Sequence, residues 1–151
     1  MSASSTAAYT GKILMTFATA IYGFIPPFAD FNPTHALNPL WPGHARYHVV
    51  WQVIITFWLA VLGLYLLWTK SAEKEFATRI SFLLGVIVLG GFLCDAAVRH
   101  LYGGALTDPN GYPPIFFGWD GNLTVFSAAF VILVIGYWMT RSKANQLAGT
   151  T

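Results

Sequence analysis

The chain has 151 residues, of which 56% are hydrophobic and only 9% charged, with a net charge of +2 and a mean hydropathy of +0.57. This excludes a water-soluble globular domain, because so short a chain cannot cover its long apolar stretches on every side. The length fits one domain over 1–151, the single cysteine, Cys94, excludes an intrachain disulfide, and no nucleic-acid partner is expected.

Four apolar stretches follow in chain order. Residues 13–28 form the weakest, interrupted by Pro26-Pro27; the short apolar run before Ala18-Thr19-Ala20 does not fit a cleavable signal peptide. Residues 49–68 carry no charge over a length that spans a bilayer core of about 30 Å at 1.5 Å per residue. Residues 80–94, continuing to 98, and 123–139 complete the set. The predicted fold class is all-α: an integral membrane, four-helix antiparallel transmembrane bundle, with helices at about 10–29, 44–68, 79–101 and 122–140 and two ordered loops between them on the non-cytoplasmic side.

Charge is distributed unequally between the two ends of this bundle. One end takes Lys12, Lys70, Glu73, Lys74, Glu75, Arg79, Arg141 and Lys143; the other takes all the histidines and aspartates, with Arg46 and Arg99. The excess of Lys and Arg places the first end and both termini in the cytoplasm of a cell inner or organellar membrane, and the His/Asp end on the periplasmic or lumenal side.

The His/Asp end has two long connections. In the first, Asn32-Pro33, Asn38-Pro39 and Trp41-Pro42-Gly43 are turn or helix-start signals. In the second, Asp108-Pro109-Asn110-Gly111 is a turn signal among aromatics, which suit either a membrane-interface belt or a lid. Asn122-Leu123-Thr124 matches a glycosylation acceptor, but Asn122 is better placed as the N-cap of the fourth helix.

His44, His48, Gln52 and Thr56 recur every four residues and form one stripe about 18 Å long at helical rise, expected to face the bundle interior. Asp95, Arg99 and Tyr102 share a face of the third helix, where Asp95 and Arg99 suit an intrahelical ion pair; Ser81 and Gly85 continue that face. Thr16, Thr19, Gly23 and Asp30 line the first helix, and Thr124 and Ser127 the fourth. Converging polar lines predict a pocket at the His/Asp end, with His44, His48, Asp95, Asp30 and Arg99 as the catalytic candidates. Gln52, Trp41, Tyr102, Trp119 and Asp120 would form its walls. His44 and His48 could share a metal (Zn, Fe or Cu), with His35 or Asp30 as a third ligand; equally, they could serve acid–base chemistry or simply fix the loop. Cys94 is expected as a small buried hydrophobe.

The segment Asn32-Pro-Thr-His35, then Asn38-Pro39-Leu-Trp41-Pro42-Gly-His44-Ala-Arg46-Tyr-His48, resembles a signature of small four-helix membrane proteins of unknown function from bacteria and fungi. The resemblance covers about 17 residues and implies that the His-rich segment is that family's defining site; it implies no reaction. A looser similarity, of architecture only, is to membrane sterol-isomerase-type bundles.

Three functions are compatible with these residues. The first is a membrane-embedded enzyme doing isomerase- or cyclase-like acid–base, or metal-assisted, chemistry on a small lipophilic substrate. The second is an accessory subunit of a larger membrane complex, or a homo-oligomer. The third is a proton or metal-ion transport element, for which the half of the bundle beyond Thr56 offers few polar groups.

Overall fold

The computed structural model describes residues 3–70, 72–107, 115–116 and 118–148. It contains four long helices: α1 (Ala3–Ala29), α2 (Gly43–Trp68), α3 (Lys74–Val98) and α4 (Gly121–Ala148). Each is long and apolar enough to cross a membrane. A single turn of 3-10 helix, Arg99–Leu101, extends α3. The strands β1 (Ile115–Phe116) and β2 (Trp119–Asp120) form a small antiparallel hairpin just before α4, a β element that the sequence reading lacks.

Several helix ends differ from the sequence expectation; α4, for one, runs on to Ala148 rather than ending near 140. The first helix begins at Ala3 rather than near 10, because its Ser/Thr/Ala-rich start has no helix breaker and continues the same register. The third begins at Lys74 rather than near 79, so its first turn carries the charged residues that had been assigned to the connection. The fourth starts at Gly121 and is capped by Asp120 rather than by Asn122: Asp120 Oδ1 accepts the Leu123 backbone N–H at 2.9 Å, the N-cap geometry that satisfies an orphan donor of the first turn. Pro26 and Pro27 lie inside α1 and do not end it, and the Pro26 carbonyl still accepts the Asp30 N–H at 2.8 Å.

The helices pack as a square. α1 lies between α2 and α4, α3 closes the opposite corner, and the diagonal α1–α3 contact is slight. Neighbours run antiparallel: Lys12, early in α1, donates through Nζ to the Leu67 carbonyl, late in α2, at 2.7 Å. Phe82, early in α3, stacks on Tyr137, late in α4, with ring centroids 4.0 Å apart. The end of α2 is further held by the Trp68 indole N–H, which donates to Thr16 Oγ1 at 2.9 Å.

Small residues set the helix separations. A Cβ on Gly11 would stand 2.5 Å from the Gly136 carbonyl oxygen, so the α1 and α4 backbones touch there. A Cβ on Gly23 would instead collide with the Ala60 Cβ of α2. Close backbone approach through small residues is the packing expected where lipid removes the hydrophobic drive between helices. The core comprises Met15, Ala18, Tyr22, Ala60, Leu67, Leu89, Ala129 and Leu133. Large apolar side chains such as Phe17, Trp58, Ile87, Val131 and Trp138 project outward instead.

Candidate functional site

The first connection is built from turns. Asn32 Oδ1 accepts both the Thr34 N–H (2.8 Å) and the Thr34 hydroxyl (2.6 Å), and Asn38 Oδ1 accepts the Leu40 N–H (3.0 Å). These are Asx turns, for which Asn is suited because its side chain mimics a backbone carbonyl. His35 Nδ1 lies 2.8 Å from Thr34 Oγ1. The single hydroxyl hydrogen of Thr34 is committed to Asn32, so the Nδ1–H of His35 is the donor in that contact. The ring meets Trp41 edge-on at 5.8 Å between centroids. His35 and Trp41 thus brace the turn.

The α2 stripe divides in two. His44 and His48 do lie one turn apart on one line, with Nε2 atoms 3.0 Å from each other, but both side chains are exposed. One ring donates its hydrogen to the lone pair of the other. Tyr47 and Trp51 flank His48 on the same exposed surface. Only the lower half of the stripe, Gln52 and Thr56, reaches a cavity.

That cavity, about 460 Å³, lies at the His/Asp end and receives residues from all four helices. Its polar wall is Tyr22 and Asp30 at the end of α1, Gln52 and Thr56 of α2, Asp95 of α3, and Asn122 of α4. Ile25, Val53, Val88, Phe92 and Phe126 supply apolar surface. Polar groups that converge beside apolar surface in a hollow between helices are the form of a small-molecule site. A larger hollow of about 890 Å³ at the opposite end is a different object, a seam between charged helix ends that includes Lys12, Glu73, Lys74, Arg79 and Arg141.

The two carboxylates of the cavity are held differently. Burial pushes the Asp30 carboxyl above its ordinary pKa of 3.8, and the nearby His35 pulls it partly back. Asp95 Oδ1 accepts the Tyr102 hydroxyl. This bond pushes the Tyr102 phenol up, so Tyr102 remains a donor. The expected Asp95–Arg99 ion pair does not form, because the Arg99 guanidinium folds back onto the Ala96 carbonyl of its own helix and leaves Asp95 to Tyr102.

The remaining candidates lie off the cavity. Asp120 is the N-cap of α4 and also receives the Thr107 hydroxyl at 3.5 Å; Trp119 stands exposed on β2. Thr124 returns its hydroxyl to the Asp120 carbonyl at 2.7 Å and is exposed, so it is not an inward polar residue. Cys94 is exposed rather than buried. The turn at Asp108-Pro109-Asn110-Gly111 and most of the aromatic segment lie outside the described residues. Among the described residues no group of three or more His, Cys, Asp or Glu side chains is placed to hold a metal ion. His35 is engaged by Thr34 and Trp41, while His44 and His48 contact each other.

Two polar cavity residues, Tyr22 and Asn122, were not among the sequence candidates. Tyr22 carried a readable signal, since it follows Thr19 by three residues on the polar line of α1. Asn122 was read as a cap, and only the placement of Asp120 releases it for the cavity. Comparison with protein-family models, curated proteins and solved structures finds no match.

Proposed function

We propose that the chain is an integral membrane enzyme acting by acid–base chemistry, of the isomerase or cyclase kind, on a small lipophilic molecule that enters the cavity at the His/Asp end. The observation that carries this reading is that Asp30, just beyond α1, and Asp95, of α3, line one cavity together with apolar side chains. A desolvated carboxyl such as that of Asp30 is costly and is kept where a proton must be given or taken. Asp30, whose pKa is raised, suits the role of acid. Asp95, held by the neutral phenol of Tyr102, suits the role of base. Gln52 and Asn122 would orient the polar part of the substrate, and the apolar wall would take its hydrocarbon. In this reading the bilayer is the solvent from which the substrate partitions, and the Lys/Arg-rich end faces the cytoplasm.

An isomerisation or cyclisation conserves mass. Lipid extracts of membranes with and without the chain should therefore differ in the ratio of two species of equal mass, and Asp30→Asn or Asp95→Asn should restore the ratio found without it. His44→Ala should leave the ratio unchanged, since His44 lies off the cavity. Extracts indistinguishable with and without the protein would sink the proposal; loss of the effect in His44→Ala alone would move the site to the histidine pair.

A second reading, an accessory subunit or homo-oligomer, is favoured by the exposed surface of Tyr47, Trp51, His44 and His48 on one side of α2. Aromatic side chains of this kind anchor partner helices as well as lipid headgroups. His44→Ala would then disturb assembly without changing the cavity.

A further inference from the structure

The histidine pair of α2 stands off the cavity and takes no part in the chemistry above. His44 and His48 are one helical turn apart, so the helix itself fixes the spacing of their backbones. Their Nε2 atoms are 3.0 Å from each other, and both side chains are exposed. Two nitrogen lone pairs repel at that distance unless a cation stands between them or beside both. A proton on one ring meets this need in the metal-free pair. When both rings carry their hydrogen on Nδ1, both Nε2 lone pairs are free and a metal ion can take the proton's place.

The distance selects among metals. Two imidazole nitrogens bound to one ion at about 2.1 Å stand about 3.0 Å apart when they meet it at a right angle, and about 3.4 Å apart at the tetrahedral angle. The observed 3.0 Å is the right-angle value. Right angles belong to the tetragonal coordination of copper(II) and nickel(II), with nitrogen and oxygen ligands, rather than to tetrahedral zinc. Among the described residues no third His, Cys, Asp or Glu joins the pair, and His35 is engaged by Thr34 and Trp41. On an exposed surface water oxygens fill the other positions. The His48 ring is braced by Tyr47 and Trp51, at 5.7 and 5.9 Å between centroids, which favours one orientation of its nitrogen.

We infer that His44 and His48 form a two-nitrogen chelating site for a tetragonal divalent metal ion, copper(II) above all. Copper(II) stands highest among the divalent first-row ions in affinity for such donors, which is what a site with only two protein ligands requires. The site is independent of what the cavity binds and of whether the chain is an enzyme.

Titration of the full chain in detergent with copper(II) chloride tests it. With one equivalent of copper, the electron paramagnetic resonance spectrum of the native chain is tetragonal and shows coupling to two imidazole nitrogens, a readout that needs no variant. His44→Ala and His48→Ala each weaken copper binding by more than about tenfold, the loss that even an outer-shell partner of a ligand brings. His35→Ala leaves the affinity unchanged, since His35 lies outside the pair. Zinc chloride binds the native chain more weakly than copper. A native spectrum with coupling to one nitrogen or none, copper held as tightly by His44→Ala or His48→Ala as by the native chain, or zinc bound as tightly as copper each overturn the assignment.

Discussion

Asp30 shows how one residue can be read both as chemistry and as stability. Its carboxyl is desolvated where α1 ends, and the folded state therefore favours the protonated form. A raised folded pKa means that the stabilisation from protonation is fully present below the ordinary value of 3.8 and is lost as pH rises through the folded value. The wild-type unfolding midpoint should thus decline over that window, and Asp30→Asn should flatten the decline and be the more stable protein at neutral pH. A parallel pH dependence in the two proteins would show that Asp30 is not the group responsible. Its backbone carbonyl also accepts the Ala36 N–H at 2.9 Å, a bond that the Asn variant retains, so the comparison isolates the side chain. Legibility at this scale was uneven. The sequence placed Asp30, Gln52 and Asp95 at one end of the bundle because charge and helical spacing carry that information, and all three line the cavity. It drew His44 and His48 inward as well, by extending the stripe of Gln52 and Thr56 upward. Spacing fixes which residues share a face, but not how far neighbouring helices extend to cover that face. At His44 and His48, near the start of α2, no neighbouring helix among the described residues covers the stripe, and both rings are exposed.

Among the elements, the glycines decide how closely helices approach. Gly136 touches α1 so tightly that an added Cβ would lie 2.8 Å from the Gly11 carbonyl oxygen and 3.0 Å from the Met15 backbone nitrogen. Neither atom can rotate away, so Gly136→Ala must push α1 and α4 apart, at a cost of about 1–3 kcal/mol. Gly91, on α3, meets nothing within 4 Å of the corresponding position, and Gly91→Ala should be neutral or stabilise by up to about 1 kcal/mol through helix propensity. Unfolding of both variants under identical conditions checks the contrast; equal effects would mean that the α1 and α4 backbones do not touch at Gly136. Hydropathy alone revealed four helices, but not this pattern, because a contact glycine and an idle one look the same in a sequence. The start of α4 was misread for a related reason. Asp120 and Asn122 are both good capping residues, and propensity ranks them equally. The deciding fact is that Asp120 ends the β1–β2 hairpin, which brings its carboxylate over the first turn.

At the scale of the whole molecule, the two ends of the bundle differ in chemistry, and this difference yields an orientation that can be tested. Lys12, Lys70, Lys74, Arg79 and Arg141 gather at one end, where Ala8, Thr140 and the α2–α3 connection also meet. The other end has only Arg46 and Arg99, and Arg99 is turned back onto its own helix. Basic residues in short connections resist transfer across a membrane, so the first end should remain in the cytoplasm and the cavity should open on the opposite side. Because Cys94 is the only cysteine, Cys94→Ala gives a thiol-free background. Leu101→Cys and Phe76→Cys then place one thiol at each end, at positions whose side chains are 74% and 62% exposed. A membrane-impermeant thiol reagent added to intact cells should label Leu101→Cys at once and Phe76→Cys only after permeabilisation. The reverse pattern would invert the topology and place the Asp30–Asp95 cavity on the cytoplasmic side. Its substrate would then have to come from the inner leaflet rather than the outer, although the chemistry proposed for the two carboxylates would be unchanged.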